Sequence, residues 1–503
     1  AACERLFPAD PPRLLAAKQG LGATLCSLGD LAGAQALFEE VHAARERALS
    51  PDHSELLTAK LNLASICKER GDLGRALELL EYVHATRERL LSPDHPDLMA
   101  AKQNLASVRK KLGDLAGARE LEECVHAVRQ RVLPGGHPDL LAAKLNLANT
   151  RGQLGDLEGA LALEEEVYAA FQQGLPPDHP HLLMVESNLG ITRLALGDLA
   201  GALALFEHVH ATRERLLPAD HPDLLTAKLN LGATRCTLGD LEGGRALFEH
   251  VHAARERLLS PEHPDLLTAK QALATTKKQL GDLAGALALE EQVYAIEKGR
   301  LAADHPELIT AEQNLANTRR SLGDLSGALL LEEQVLAALE PTLDPGHPLL
   351  LAAKSNLGIT RGALGDLDGA LALFEEVQAG RERILPPDHP DLLDARQNLA
   401  AVSYERGDLA RALAITRGTL AVQCDLAASL GAEAPRGARG VARRELQRLT
   451  EALFLSAAAP AADQRPLDAE LFGALESLRA ASISSPETAR AAARDPGLAE
   501  LRE

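Results

Sequence analysis

The 503-residue chain carries 53 Lys and Arg against 72 Asp and Glu, a net charge of -19, with no Trp and few other aromatics. Such acidity argues against general nucleic-acid binding, which depends on Lys and Arg neutralising phosphates, and no apolar run approaches the ~20 residues of a membrane span. Length alone would suggest about three or four domains, but a fixed internal period overrides that count.

The chain opens on Cys3 to Asp10, which aligns with Arg213 to Asp220 and so corresponds to the end of one repeat and its loop. The expectation is a fragment: residues 1–10 close a truncated upstream repeat, and the parent has more repeats or a capping helix before them. The pair Gly-Asp then occurs at 29, 71, 113, 155, 197, 239, 281, 323, 365 and 407, always 42 residues apart. His-Pro begins at 95, 137, 179, 221, 263, 305, 347 and 389, with His53-Ser54 and Pro11-Pro12 in the same phase. The two markers divide residues 11–420 into ten repeats of two helices each.

The repeat at 221–258 is representative. Pro222 lacks the amide hydrogen that a first helical turn cannot use, and Asp223 suits the positive helix end. Leu224, Lys228, Leu231, Gly232, Arg235 and Leu238 recur at spacings of three and four, which is one face of a helix. Gly239 then ends it, because glycine tolerates the left-handed conformation of a helix terminus. The second helix is expected from about Leu241 to Leu258, with Leu247, Phe248 and Val251 inward. Neither helix can bury its stripe alone, so stacked pairs must supply a continuous core.

The pattern N-L-G/A, then L-G-D-L, then A-L-x-L-F-E, as in Asn188-Leu189-Gly190, Leu196 to Leu199 and Ala202 to Glu207, resembles the tetratricopeptide (TPR) repeat. Gly22, Gly190, Gly232 and Gly358, or alanine elsewhere, match its small helix-crossing residues, as do Ala34, Ala76 and their equivalents in the second helix. The 42-residue length, the DHP before the first helix and the RER near the end of the second resemble kinesin light chain repeats. The resemblance implies an all-α, right-handed solenoid of about ten helix pairs with a helical C-terminal extension. Residues 421–503 lose the period; Glu470 to Ala481 and DPGLAELRE at 495–503 resemble the helical connector of bacterial TPR-CHAT proteins. That resemblance implies a caspase-like protease domain beyond Glu503 in the parent, and a possible intramolecular contact with it.

Catalysis within this chain is not expected. The last histidine is His389, so Cys424 has no histidine in the tail for a Cys-His dyad. Neither a phosphate-binding G-x-x-x-x-G-K-[ST] loop nor an H-E-x-x-H helix is present. The nine histidines from His53 to His389 at one repeat position would form a spaced row that shapes the loop before each first helix, and His208 and His210 do not face each other. No metal site and no cofactor are expected. The six cysteines show no CxxC pair, and a reduced, cytoplasmic setting is expected.

At the position where Phe38, Phe206, Phe248 and Phe374 stand in some repeats, Glu122, Glu164, Glu290 and Glu332 stand in others. A carboxylate facing the paired helix needs a partner, and Arg109, Arg151, Lys277 and Arg319 are expected to supply it within the same repeats.

The first helices carry the candidate binding row. Asn62, Asn104, Asn146, Asn188, Asn230, Asn314, Asn356 and Asn398 share one position, and only Gly20 and Ala272 interrupt the series. Thr226, Asn230, Ala233 and Thr237 form a stripe beside the core face, which in the TPR architecture lines the concave surface. An amide donates and accepts, so such a row suits the backbone of an extended peptide or protein segment; the alternative is a ladder of hydrogen bonds between neighbouring first helices. Gln103, Lys110, Asn149, Gln313, Asn317 and Arg320 are expected to flank the row, basic and polar at both ends, with Ile191 and Leu194 in an apolar centre. The functional expectation is a non-catalytic recognition module, the sensor or regulatory region of a TPR-CHAT protease. The alternatives are a cargo or assembly adaptor, and the sensing repeats of a nucleotide-switching protein.

Overall fold

The computed structural model describes residues 11–408 and part of 410–422. Nineteen complete helices follow one another among the described residues, with no strand. They are the tandem helix pairs of an α-solenoid. The expectations for residues 1–10 and for the connector beyond 422 fall outside the described residues. Two compact units, residues 1–234 and 235–503, divide the chain.

Repeat four shows how the sequence builds each pair. Its first helix spans Pro138–Gln153 and its second Leu157–Gly174. His137 precedes the first helix in extended conformation, and its Nδ1 accepts a hydrogen bond from the Asp139 amide at 3.1 Å. The histidine row therefore consists of helix N-caps, each meeting one of the amides that a helix start leaves unbonded. Gly155 turns the chain at φ +86°, a left-handed value that costs an L side chain about 1–2 kcal/mol. The Asp156 amide bonds back to the Arg151 carbonyl at 2.9 Å, and the Asp156 carboxylate caps the second helix through the Gly159 amide at 2.9 Å. One Gly-Asp pair thus ends one helix and starts the next.

Within each unit the core lies along the seams between consecutive helices. In the first unit Leu147, Ala148, Ala160 and Leu163 form one cluster, and Leu141, Val167 and Val185 continue it into repeat five. In the second, Leu315, Ala316, Ala328 and Leu331 repeat the pattern. The expected core face needs one correction: Leu238 is 45 % exposed, as are its equivalents Leu112 and Leu322 at 46 %. These leucines follow the last full turn of the first helix, where the chain has begun to leave the partner helix.

Where the RER motif is present, its first arginine ties the repeat to the following one. Arg87 Nη1 donates to the Asp97 carbonyl at 2.7 Å, and Arg255 Nη1 to that of Asp265 at 2.6 Å. Burial pushes the pKa of both guanidinium groups down, against a smaller opposite effect of the nearby aspartate.

Candidate functional site

The asparagine row lies on the first helices. In the first unit Asn104 and Asn146 are exposed while Asn62, Asn188 and Asn230 are half-buried; in the second, Asn314, Asn356 and Asn398 are half-buried. Asn398 Nδ2 approaches Ser355 Oγ at 3.5 Å. That bond joins two neighbouring first helices, and the other amide side chains of the row make no hydrogen bond among the described residues.

The flanking residues divide into two sets. Asn149 is exposed and accepts from Gln153 Nε2 at 3.2 Å. Gln103 is turned toward the second helix, where its Oε1 accepts from Arg129 Nη2 at 3.0 Å. Gln313, one helix position equivalent to Gln103, has a buried Nε2 without a partner. Lys110, Asn317 and Arg320 are engaged within the protein, and their engagement revises the expected ion pairs.

Glu122, Glu164, Glu290 and Glu332 are buried, as the position of the phenylalanines implies. Their partners are not Arg109, Arg151, Lys277 and Arg319. Those four reach exposed carboxylates: Arg109 meets Glu81 and Asp114, Arg151 meets Glu123 and Asp156, Lys277 meets Asp282, and Arg319 meets Glu291 and Asp324. The next residue along the helix serves instead. Lys110 Nζ lies 2.9 Å from Glu122, Lys278 Nζ 3.4 Å from Glu290, and Arg320 Nη1 2.7 Å from Glu332. Consecutive residues differ by about 100° around a helix, and the one-residue shift turns the cation from the outer face into the seam between two first helices.

Arg320 shows the full set of acceptors. Besides Glu332, its Nη1 donates to Thr360 Oγ1 at 3.0 Å and to the Asn356 carbonyl at 3.3 Å, both on the first helix of the next repeat, while Nη2 donates to Asn317 Oδ1. Lys278 likewise reaches Thr318 Oγ1 at 3.3 Å. Burial still pushes the Glu332 carboxyl above the ordinary range; the Thr360 hydroxyl and Arg320 act against that shift.

Repeat five holds a cluster that the sequence reading passed over. Lys144 and Lys270 are buried on their first helices and reach Glu166 at 2.6 Å and Gln292 at 2.8 Å. At the equivalent position stands Glu186, also buried. Its Oε2 lies 2.8 Å from His208 Nδ1, and its Oε1 accepts from Tyr168 at 3.2 Å. Burial, then the adjacent carboxylate, pushes the Tyr168 phenol up. With Gln172, Leu182 and Arg193 these groups line an open cleft of about 650 Å³. The signal was a glutamate where most repeats carry lysine.

Among the described residues no group of three or more His, Cys, Asp or Glu is placed to hold a metal ion, and no helix is long and apolar enough to cross a membrane.

The tetratricopeptide repeat family matches residues 14–89, 55–131, 97–173, 140–215, 181–242, 223–299 and 349–423. The chain belongs to the tetratricopeptide repeat family. Among curated proteins no relative matches it. Of solved TPR structures, nearly identical TPR-like repeats from Podosopora anserina, named for kinesin light chain, share 29% identity. They cover 42% of this chain and 99% of theirs, with a TM-score of 0.36. The apo quorum sensor NprR from B. thuringiensis is 15% identical over 65% of this chain and 87% of its own, with a TM-score of 0.51. A Rap protein complexed with competence and sporulation factor is 12% identical over 73% of this chain and 98% of its own, at 0.48. At that identity the likeness to NprR is one of fold.

Proposed function

We propose that this TPR array is a non-catalytic recognition module that holds an extended peptide or protein segment against its first helices. The observation that carries the reading is the state of the asparagine row: from Asn62 to Asn356 the amides are at least partly accessible and their side chains make no hydrogen bond among the described residues. An extended segment has a backbone carbonyl and amide at every residue, which a row of amides can meet whatever the side chains. In the wider reading, which rests on the TPR-CHAT resemblance of the tail, the module is the regulatory region of a caspase-like protease. Partner binding would then favour one of two solenoid curvatures, and cleavage by the full-length parent would respond to it.

The experiment is partner capture with the chain and with Asn146, Asn188 and Asn230 all changed to Ala. Loss of the partner with an unchanged melting curve supports recognition by the row. Retained binding with a lower melting temperature means that the amides serve the fold.

A further inference from the structure

Repeat four departs from repeats three, seven and eight at one atom set. Glu164 is 5 % exposed, like Glu122, Glu290 and Glu332, but where those repeats carry Lys110, Lys278 and Arg320 the chain has Gly152. The remaining acceptors around Arg320 all have identical counterparts four repeats earlier. Glu332 corresponds to Glu164, Asn317 to Asn149, Thr360 to Thr192, and the Asn356 carbonyl to that of Asn188. Only the guanidinium is missing. Oε2 is buried without a hydrogen-bond partner in all four glutamates. What sets Glu164 apart is the cation, since Glu122, Glu290 and Glu332 each hold one at Oε1 while Glu164 has only the Thr192 hydroxyl against its burial.

The position is open at both ends of the route a side chain would take. A Cβ at Gly152 meets nothing nearer than Ala160 Cβ at 3.9 Å. The side chains that fill the equivalent place elsewhere keep 19–24% exposure, so its outer edge is in solvent. Asn149 is exposed and already offers its Oδ1 to a surface glutamine, a bond that an incoming donor can replace.

We infer that Gly152, Glu164, Asn149, Thr192 and the Asn188 carbonyl form a socket for the arginine side chain of a bound protein segment. The inference rests on the recognition reading above and names the chemistry of one anchor residue. Arginine suits it better than lysine because the acceptors stand on two sides, Glu164 and Thr192 for one nitrogen and Asn149 for another, and a guanidinium presents donors in a fixed fork. The protein supplies its own demonstration in Arg320.

The test uses two heptapeptides with capped ends, three alanines on each side of either arginine or its neutral isostere citrulline. Binding to the full chain is followed by NMR shifts of the Gly152 and Thr192 amides. The arginine peptide is expected to shift both, with the citrulline peptide at least tenfold weaker, and Gly152→Arg is expected to abolish the response by filling the socket from within. Gly152→Arg should also raise the melting temperature, whereas Gly362→Arg, in a repeat where Phe374 occupies the position of Glu164, should not. Equal binding of both peptides, no binding of either, or unchanged binding by Gly152→Arg overturns the socket. If both peptides bind equally and Asn146→Ala with Asn188→Ala weakens both, the amide row stands and the socket alone falls. If partner capture is indifferent to the asparagines while arginine is still preferred over citrulline, the converse holds.

Discussion

Gly190 and Phe206 compete for one space: a Cβ added to Gly190 would lie 2.7 Å from the Phe206 ring. The same exclusion holds between Gly22 and Phe38 and between Gly358 and Phe374, whereas repeats with Leu or Glu in place of the ring carry alanine on the first helix. An alanine for glycine exchange inside a helix ordinarily gains up to about 1 kcal/mol. Gly190→Ala is expected to lose about 1–2 kcal/mol instead, because overpacking forces the ring off its rotamer. Adding Phe206→Leu should recover most of the loss, since Ala64 and Leu80 already coexist in repeat two. Urea unfolding of the single and double variants decides it, and a stabilised Gly190→Ala would refute the exclusion.

Arg320→Gln should leave Glu332 buried without its cation. Breaking such a pair from one side costs about 3–5 kcal/mol, and the lower figure is expected because the guanidinium is one-fifth exposed. Arg320→Gln combined with Glu332→Leu should restore stability, leucine being the natural occupant at Leu80. If the two substitutions are additive, the residues are not coupled.

Glu164 gives the opposite prediction, because it has no cation to lose. Burial holds its carboxyl above the ordinary 4.5, so the folded state binds the proton more tightly than the unfolded chain. Stability therefore falls as pH rises from about 4.5 through the raised value, and the whole cost is present above it. Glu164→Gln is expected to gain about 1 kcal/mol at pH 7, with the gain shrinking to nothing near pH 4. Denaturant unfolding at both pH values checks this, and a gain of equal size at each would contradict it.

A second pH effect has the reverse sign. His42, His84, His126 and His252 have buried Nε2 atoms without a hydrogen-bond partner, those of His42 and His84 lying 3.8 and 3.9 Å from Glu46 and Glu88, and burial holds each below the ordinary 6.5. For His126, Lys144 and Arg151 add to the lowering and Glu166 opposes it. The unfolded chain then binds protons more readily, so stability is lost as pH falls from 6.5 through the lowered value. His126→Gln, which copies Gln378 at the equivalent position, should lose less stability between pH 7 and pH 5 than the parent chain does. Thermal melts across that range measure the difference, and parallel curves would remove His126 from the account.

The helices and their caps were legible because each boundary is written in residues with one local purpose. The glycine of Gly-Asp adopts the left-handed turn, and the aspartate and histidine accept amide hydrogens. Which of two neighbouring cations faces inward was not legible. Arg109 and Lys110 both follow the spacing of a helix face, and 100° of rotation separates a surface pair from a buried one. Leu238 misled for a related reason: its spacing fits the core stripe, but the helix ends before the partner reaches it. Gln103 read as surface because it is polar, while in the fold it answers the guanidinium of Arg129 on the second helix. The buried Glu186 was visible as a reversed charge at a lysine position, yet only the fold brings Tyr168 and His208 to it.

Every cap described above is satisfied inside its own 42 residues. His137 serves Asp139, and Asp156 serves Gly159. Excising or duplicating a whole repeat would therefore leave each remaining terminus with its partner, whereas a short insertion between the two markers would strand one of them. The array can be edited in whole cassettes, and a ligand contact such as Gly152 then has an address counted in cassettes from its neighbours rather than in residues.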